Sequence, residues 1–213
     1  NAIPLFKREL EAMEQLHGPK HKDTIASLVN LAPILKNAGK ITEAKTVYRK
    51  IAEAREQVLG RDHPKTLEST YDYIRIYREQ EEWSEAIPRF QDLLHRYEQL
   101  GDTYQTSALN LRSLLAPMLE KVGDLVGAAA LSHEVLAERE KALGPDHPKT
   151  LSSLLTLANI YKAQEDWDRA IPLFQRRFET RERTLGPRHK DTITGLVSLA
   201  LVVKKSGNLE DAA

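Results

Sequence analysis

The sequence predicts an all-α solenoid of antiparallel helix pairs, and three observations lead to this fold class. A frame of residues recurs every 42 positions along the chain, with alanine in one slot of every copy. Each copy contains two amphipathic stretches of helical period, and glycine or proline separates them. A fixed period of this length is typical of stacked supersecondary units and not of one globular core. The recurring alanines are Ala2, Ala44, Ala86, Ala128, Ala170 and Ala212.

Two further slots of the frame describe the turns and the helix faces. One slot holds the turn residue between paired helices, and it alternates between glycine and glutamate. Another slot is aromatic in every copy except the fourth, where it is serine. The alternation indicates that a block of two repeats was duplicated. The turn slot holds Gly39, Glu81, Gly123, Glu165 and Gly207, and the aromatic slot holds Phe6, Tyr48, Phe90, Ser132 and Phe174.

The first copies show how the helices are delimited. Residues 1–16 carry apolar side chains at three- and four-residue spacing, which predicts an amphipathic helix that ends before Gly18. The next helix is predicted over about 23–37, and Gly39 ends it in a left-handed conformation. Thr42 is the expected N-cap of the following helix, which continues to about Leu59.

The loops that precede the first helix of each copy also predict caps. In two copies the loop contains Asp-His-Pro, where the aspartate is expected to cap the helix and proline falls in its first turn. In two other copies the loop contains His-Lys-Asp-Thr, and the aspartate is again the expected cap. These aspartates are Asp23, Asp62, Asp146 and Asp191.

The repeats form one array over residues 1–213. Its expected parts are the second helix of a preceding repeat at 1–16, four complete repeats and a partial final repeat at 186–213. The chain begins and ends in mid-frame, so we expect a fragment of a longer array whose exposed end faces let copies associate end to end. The complete repeats are predicted at 17–59, 60–100, 101–142 and 143–185.

Composition excludes several functional classes. Lysine and arginine number 31, as do aspartate and glutamate, so the chain lacks the basic excess of most nucleic-acid-binding proteins. Cysteine is absent, which excludes disulfides, a thiolate nucleophile and cysteine metal sites and fits a reducing compartment. No apolar run approaches the ~18 residues that a membrane span needs. We therefore expect a cytoplasmic protein that binds neither nucleic acid nor a membrane.

No motif for catalysis or for a cofactor is present. The sequence has no glycine-rich phosphate loop, no nucleophile elbow and no paired-histidine metal motif. Four histidines share one loop slot, but equivalent residues of stacked repeats lie roughly 8–10 Å apart, which is too far for a common metal ion. We expect a protein that is not an enzyme and that has no cofactor and no metal site. The histidines are His21, His63, His147 and His189.

Small residues recur within each helix pair, and one copy shows Leu157-Ala158 in its first helix and Ala170 with Phe174 in its second. This pattern resembles the tetratricopeptide repeat (TPR). The 42-residue length and the LGxDHPxT loop resemble the long-helix subclass of kinesin light chains. The resemblance implies a right-handed superhelix whose first helices line a peptide-binding groove. Kinesin light chains carry an Asn-Asn pair in this groove, and of these positions only Asn30 matches.

One slot of the implied groove is basic in four of five copies. We interpret this slot and its neighbours as a surface that binds an extended acidic peptide, with cations supplying charge and amides bonding the peptide backbone. The alternative is that these residues are solvated ends of amphipathic helices, because lysine is a good helix former. The basic slot holds Lys36, Arg78, Glu120, Lys162 and Lys204, and the neighbouring candidates are Asn30, Arg75, Asn110, Lys121, Asn159 and Lys205.

These observations predict a non-catalytic scaffold for protein–protein interaction, with a protein or peptide as partner. The alternative function is a sensor or self-association segment of a multidomain STAND-type signalling NTPase. The alternative requires an NTP-binding domain upstream in the full-length sequence, and the scaffold does not.

Overall fold

The computed structural model describes residues 2–207, and within them it contains α-helices and one 3₁₀ turn but no strands. Two compact units comprise residues 1–100 and 101–213. Each unit consists of antiparallel helix pairs, which confirms the predicted fold class. The predicted alanine slot extends to Ala212, which lies outside the described residues. Unit 1 contains α1 (Ile3–His17), α2 (Lys22–Asn37), α3 (Ile41–Leu59), α4 (Pro64–Glu79) and α5 (Trp83–Gln99). Unit 2 contains the 3₁₀ turn Gly101–Tyr104, α6 (Gln105–Lys121), α7 (Leu125–Leu143), α8 (Pro148–Ala163), α9 (Trp167–Leu185) and α10 (Lys190–Lys205).

Within each unit, the cores lie where first helices pack against neighbouring second helices. In unit 1, Leu31 and Leu35 of α2 are buried with Leu10 of α1 and Ile51 of α3. In unit 2, the corresponding cluster joins α8, α9 and the buried Val202 of α10. Four alanines of the recurring slot are fully buried at these crossings, so small side chains let neighbouring helices approach closely, whereas Ala2 is exposed. The buried alanines are Ala44, Ala86, Ala128 and Ala170.

Buried threonines tie the loops to the helices that follow them. Thr24 Oγ1 donates a hydrogen bond to the carbonyl of Gly18 at 2.7 Å. Thr150 Oγ1 donates the equivalent bond to the carbonyl of Gly144 at 2.8 Å. Both threonines are fully buried, so these bonds satisfy hydroxyl groups that would otherwise be costly to bury.

The helix caps differ from the sequence prediction. The prediction that aspartates cap the first helices is wrong, because the residue at the cap position is histidine. His63 has an extended backbone, and its Nδ1 accepts the backbone N–H of Lys65 at 3.2 Å. Asp62 lies one residue too early to cap α4 and contacts Arg96 instead. The equivalent cap histidines are His21, His147 and His189, while Asp23 and Asp191 lie in the first helical turn and Asp146 contacts Arg183.

The predicted cap at Thr42 is also wrong. Helix α3 begins at Ile41, and Lys40 precedes it without a side-chain cap. Thr42 is therefore helical, and its carbonyl accepts a bond from the hydroxyl of Thr46.

The turn slot requires a left-handed backbone in both of its forms. Gly39 and Gly123 have φ of 74° and 86°, a conformation that suits glycine. Glu81 and Glu165 occupy the same slot with φ of 56° and 58°. Because a Cβ is strained in this region, these two glutamates destabilise their turns.

Among residues 2–207, no helix is both long enough and apolar enough to serve as a transmembrane span.

Candidate binding face

A large pocket in unit 2 brings together several of the residues that the sequence singled out. Its volume is about 690 Å³, and it lies between α8 and α10, with α9 contributing Phe174. The candidates Asn159, Lys162 and Lys204 line it, together with Lys205. We call this site the lysine pocket. Its complete lining is Leu155, Asn159, Lys162, Phe174, Ser198, Leu201, Val202, Lys204 and Lys205.

The lysine pocket is positively charged. None of its lining residues is acidic, and none of its three lysines forms an ion pair within the part of the chain that the structure describes. Lys162 Nζ lies 6.0 Å from the ring centroid of Phe174, and Lys205 Nζ lies 5.7 Å from that of Trp167. Cations over aromatic rings are held by the ring quadrupole, which leaves their positive charge unneutralised. The lysines are thus available to an anionic ligand.

The floor of the lysine pocket is apolar. Phe174 and Val202 are buried there, and Leu155 is half-buried. Leu201 is 61% exposed at the rim, in a slot that holds Pro33, Arg75, Pro117 and Asn159 in the other copies. Cations at the edge and apolar carbon beneath them suit a ligand that has both negative charge and an apolar side chain.

The corresponding residues of unit 1 have a different electrostatic environment. Lys36 Nζ lies 2.8 Å from the carboxylate of Glu79, and Arg75 Nε lies 3.2 Å from the same group. One carboxylate therefore neutralises two of the predicted groove cations. Arg78, on the same helix as Arg75, is half-buried and forms no ion pair with any residue in the range 2–207.

The pairing with Glu79 was missed in the sequence analysis. Glu79 occupies the slot that holds Lys121 and Lys205 in other copies. The replacement of a basic residue by an acidic one in this slot was therefore the feature of the sequence that could have predicted the ion pair. Its partner Lys36 lies on the preceding first helix, so only stacking of successive repeats makes the contact evident.

The remaining sequence candidates are exposed and lie outside the lysine pocket. Asn30 is exposed on α2, and Lys121 is exposed at the end of α6. Asn110 is exposed on α6, where its carbonyl accepts a bond from Ser113 Oγ at 2.8 Å. The structure therefore gathers Asn159, Lys162, Lys204 and Lys205 into one pocket, while the other predicted groove residues lie elsewhere in the two units.

A second cavity of unit 2 was not predicted. Its volume is about 220 Å³, and it lies between α6, α7 and α8. It contains five hydroxyl side chains and two cations, and we call it the hydroxyl pocket. Ser132 lies in the slot that is otherwise aromatic, so the exception in that slot was the signal in the sequence. The lining is Ser113, Ala116, Ser132, Val135, Arg139, Lys149, Ser152, Ser153 and Thr156.

Three potential metal ligands lie together at the start of α2. Ligand atoms of His17, His21 and Asp23 come within 4.8 Å of one another, and the two imidazole rings stack at 4.4 Å. His21 Nδ1 accepts the backbone N–H of Asp23 as the cap of α2. Helix capping accounts for the position of His21, and we assign no metal to this group.

Comparison with known families identifies the class of protein. The sequence matches the tetratricopeptide repeat family over residues 23–99, 105–183 and 153–213. The chain therefore belongs to the tetratricopeptide repeat family, as the resemblance of its helix pairs predicts. A search of curated proteins gives no significant match.

Solved structures show which repeat proteins have a similar fold. A kinesin-light-chain-type protein of Podospora anserina with nearly identical TPR-like repeats has a TM-score of 0.73 at 22% identity, covering 86% of this chain and 87% of its own. BtubC (BKLC) from P. vanneervenii also has a TM-score of 0.73, at 17% identity, covering 99% and 85%. YrrB, a TPR protein with an unusual peptide-binding site, has a TM-score of 0.59 at 16% identity, covering 97% and 86%. These neighbours confirm the kinesin-light-chain-like TPR fold.

Membership of this family implies a role in protein–protein interaction. Tetratricopeptide repeat proteins are generally scaffolds that do not catalyse reactions. The cytoplasmic location and the absence of nucleic-acid binding stay predictions from composition.

Proposed function

We propose that unit 2 binds an extended, acidic segment of a partner protein at the lysine pocket. This proposal is carried by the pocket of about 690 Å³, in which the described lining combines three lysines and an apolar floor with no acidic residue. Pockets that bind ligands generally have volumes of ~300–1,000 Å³ and combine apolar walls with a few polar groups.

The side chains of the pocket have distinct roles in this proposal. Lys162, Lys204 and Lys205 attract carboxylates of the segment and set its position, since charge complementarity governs encounter rate and register. Phe174 and Val202 receive an apolar side chain of the segment. The amide of Asn159 then bonds the segment's backbone.

Unit 1 has a weaker preference for acidic segments in this proposal. Glu79 already compensates Lys36 and Arg75, so an acidic ligand has to displace an existing ion pair. Asn30 and Arg78 remain candidates for contacts with a polar segment. We therefore assign the acidic specificity to unit 2 and not to a uniform row of cations.

The test is an unbiased peptide-array screen at two salt concentrations, followed by titration of the tightest hit. Acidic peptides are expected to dominate the hits and to weaken as salt rises. Loss of two charge-assisted bonds in the double variant Lys162→Glu plus Lys204→Glu is expected to raise Kd by roughly tenfold or more.

The control is Lys190→Glu, which makes on α10 the same lysine-to-glutamate change as Lys204→Glu. Lys190 lies in the first turn of α10 and does not line the pocket. We expect this variant to bind like the wild type. Equal losses in the control and in the double variant, or hits without acidic bias, would contradict the proposal.

The alternative function, a sensor or self-association segment, stays a prediction. Ile193, Leu196 and Val197 of α10 are about half exposed, at 50%, 49% and 51%. The slots of Ile193 and Leu196 hold Leu151 and Leu154 one period earlier, and those leucines are buried. End-to-end association predicts a mass that grows with protein concentration, and a constant monomer mass in sedimentation equilibrium would reject it.

A further inference from the structure

The hydroxyl pocket has the chemistry of an anion site. Arg139 and Lys149 line it, and no lining residue is acidic. Neither cation forms an ion pair among residues 2–207. Ser132 is 3% exposed, and its Oγ has no hydrogen-bond partner in the structure. A buried hydroxyl without a partner is costly, and a ligand oxygen in the pocket would satisfy it.

Arg139 is oriented by the pocket but not neutralised by it. Its Nη1 donates to Ser153 Oγ at 2.7 Å and to the carbonyl of Lys149 at 3.3 Å. Guanidinium has five N–H donors, so further donors remain for a ligand. Burial lowers the pKa of Arg139 from its usual value, because the charged form is desolvated without a counter-ion. An anion in the pocket would compensate that desolvation.

The equivalent region of unit 1 lacks this chemistry, although it has the same fold. Tyr48 there occupies the slot of Ser132, and Glu68 and Asp72 occupy the slots of Ser152 and Thr156. The arginine in the slot of Arg139 is Arg55, whose Nη1 lies 3.7 Å from the Glu68 carboxylate. In unit 2 the aromatic side chain is absent and hydroxyls replace both acids. These replacements leave an open pocket with a net positive charge.

From this combination we infer that the hydroxyl pocket binds a phosphate monoester. Such a group carries about −1.5 to −2 charges at pH 7 and three strong acceptor oxygens, which match two cations and several hydroxyl donors. Ser113, Ser153 and Thr156 now donate to backbone carbonyls of their own helices, and their hydroxyls rotate freely toward a stronger acceptor. The cavity of about 220 Å³ is smaller than a site for a whole drug-sized ligand and suits one small group.

Two sources of the phosphate monoester are compatible with this chemistry. The first is a phosphorylated serine or threonine of the segment that occupies the lysine pocket, and this source rests on the proposed function. Ser113, Ser132 and Thr156 are one 42-residue period before Leu155, Phe174 and Ser198 of the lysine pocket. The two pockets are thus successive steps of one face within unit 2. The second source is a small free phosphate ester.

The experiment titrates the protein with O-phosphoserine and with sets of peptides by calorimetry. The peptides are an acidic sequence selected for the lysine pocket and the same sequence carrying one phosphoserine. We expect O-phosphoserine to bind at one site, and we expect Lys149→Gln to weaken it by about tenfold through loss of a charge-assisted bond.

The decisive variant is Ser132→Phe, which fills the hydroxyl pocket. Phenylalanine stands in this slot at positions 6, 90 and 174, so the repeat frame accommodates the change. We expect this variant to retain its helicity and to lose binding of O-phosphoserine, while Lys162→Glu retains that binding. No binding to the wild type, or undiminished binding to a folded Ser132→Phe variant, would overturn the inference.

The peptide titrations distinguish a phosphorylated segment from a free phosphate ester as the ligand. They also distinguish failure of the proposed function from failure of the phosphate site. A phosphopeptide that binds at least tenfold more tightly than its unmodified twin supports the phosphorylated segment. A phosphopeptide that binds no better than its twin rejects that source and supports a free phosphate ester, provided that O-phosphoserine binds. If all peptides fail while O-phosphoserine binds to the wild type and not to Ser132→Phe, the proposed function fails and the phosphate site stands.

Discussion

Units 1 and 2 share a repeat frame but differ in the charge balance of their first helices. In unit 1, Glu79 lies between Lys36 and Arg75 and compensates both. In unit 2, the residue in the slot of Glu79 on α10 is Lys205, and it adds a cation beside Lys162. The recurring core residues specify helix packing in both units, while in our proposal one exposed slot sets the preference for an acidic ligand.

The largest expected effect comes from giving unit 2 the charge arrangement of unit 1. Lys205→Glu places a carboxylate near Lys162, as Glu79 lies near Lys36. We expect Kd for acidic peptides to rise by tenfold or more, because the change replaces attraction by repulsion and compensates a second lysine. Calorimetry measures this effect, with Lys190→Glu as the control. Unchanged affinity would mean that the lysine pocket does not contact the acidic residues.

The reciprocal change in unit 1 should have a smaller effect. Glu79→Gln leaves Lys36 and Arg75 without their carboxylate, so affinity for acidic peptides should rise by a few-fold. The folded state should lose only about 0–1 kcal/mol, since partly exposed ion pairs contribute little. Binding is best measured in a Lys162→Glu background, where unit 2 no longer competes. A decrease in affinity would show that Glu79 helps to form the binding surface.

A change at the turn slot should have the same effect in both units. Glu81→Gly and Glu165→Gly remove the strain of a left-handed non-glycine residue, which costs roughly 1–2 kcal/mol, and lose part of this gain to the greater freedom of the unfolded chain. We expect each variant to shift chemical denaturation to higher denaturant. Stabilisation in one unit alone would show that the turns are not equivalent.

The smallest expected effect concerns Asp72, whose slot holds Thr156 in unit 2. Burial raises the pKa of Asp72, so the folded state binds this proton more tightly than the unfolded state does. The aspartate therefore destabilises the fold above its raised pKa, and this penalty declines as pH falls through that value. Asp72→Asn should stabilise the protein slightly at pH 7, and the advantage should shrink in acid. Denaturation curves of the wild type and of Asp72→Asn at several pH values give the difference in their free energies of unfolding. A difference that does not change with pH would show that this explanation is wrong.

The sequence predicted the repeats and the turns because these depend on residues close together in the chain. Apolar period, buried alanines and left-handed turn residues recur often enough to be recognised, and the structure contains the corresponding helices. The caps were wrong because aspartate and histidine are adjacent in each loop, and only the backbone geometry shows which of them reaches the N–H groups. His63, and not Asp62, is the residue that does so.

The binding face was less predictable for a different reason. Asn159, Lys162 and Lys204 could be selected by slot, because successive first helices of a solenoid lie side by side. The pairing of Lys36 with Glu79 depends on side-chain reach between two repeats, which slot counting does not include. The hydroxyl pocket exists because Ser132 replaces the aromatic side chain of the other copies. A small residue in the sequence predicts a cavity only when the side chains around it are known.

The central claim is that acidic segments bind to the lysine pocket of unit 2. Amide chemical-shift mapping with the tightest acidic peptide tests it most directly, because one titration reports on the helices of both units at once. We expect the largest shifts over residues 155–162 and 198–205 and only small shifts on α2 and α4. Largest shifts in unit 1, or on helices α7 and α9 away from Phe174, would contradict the claim.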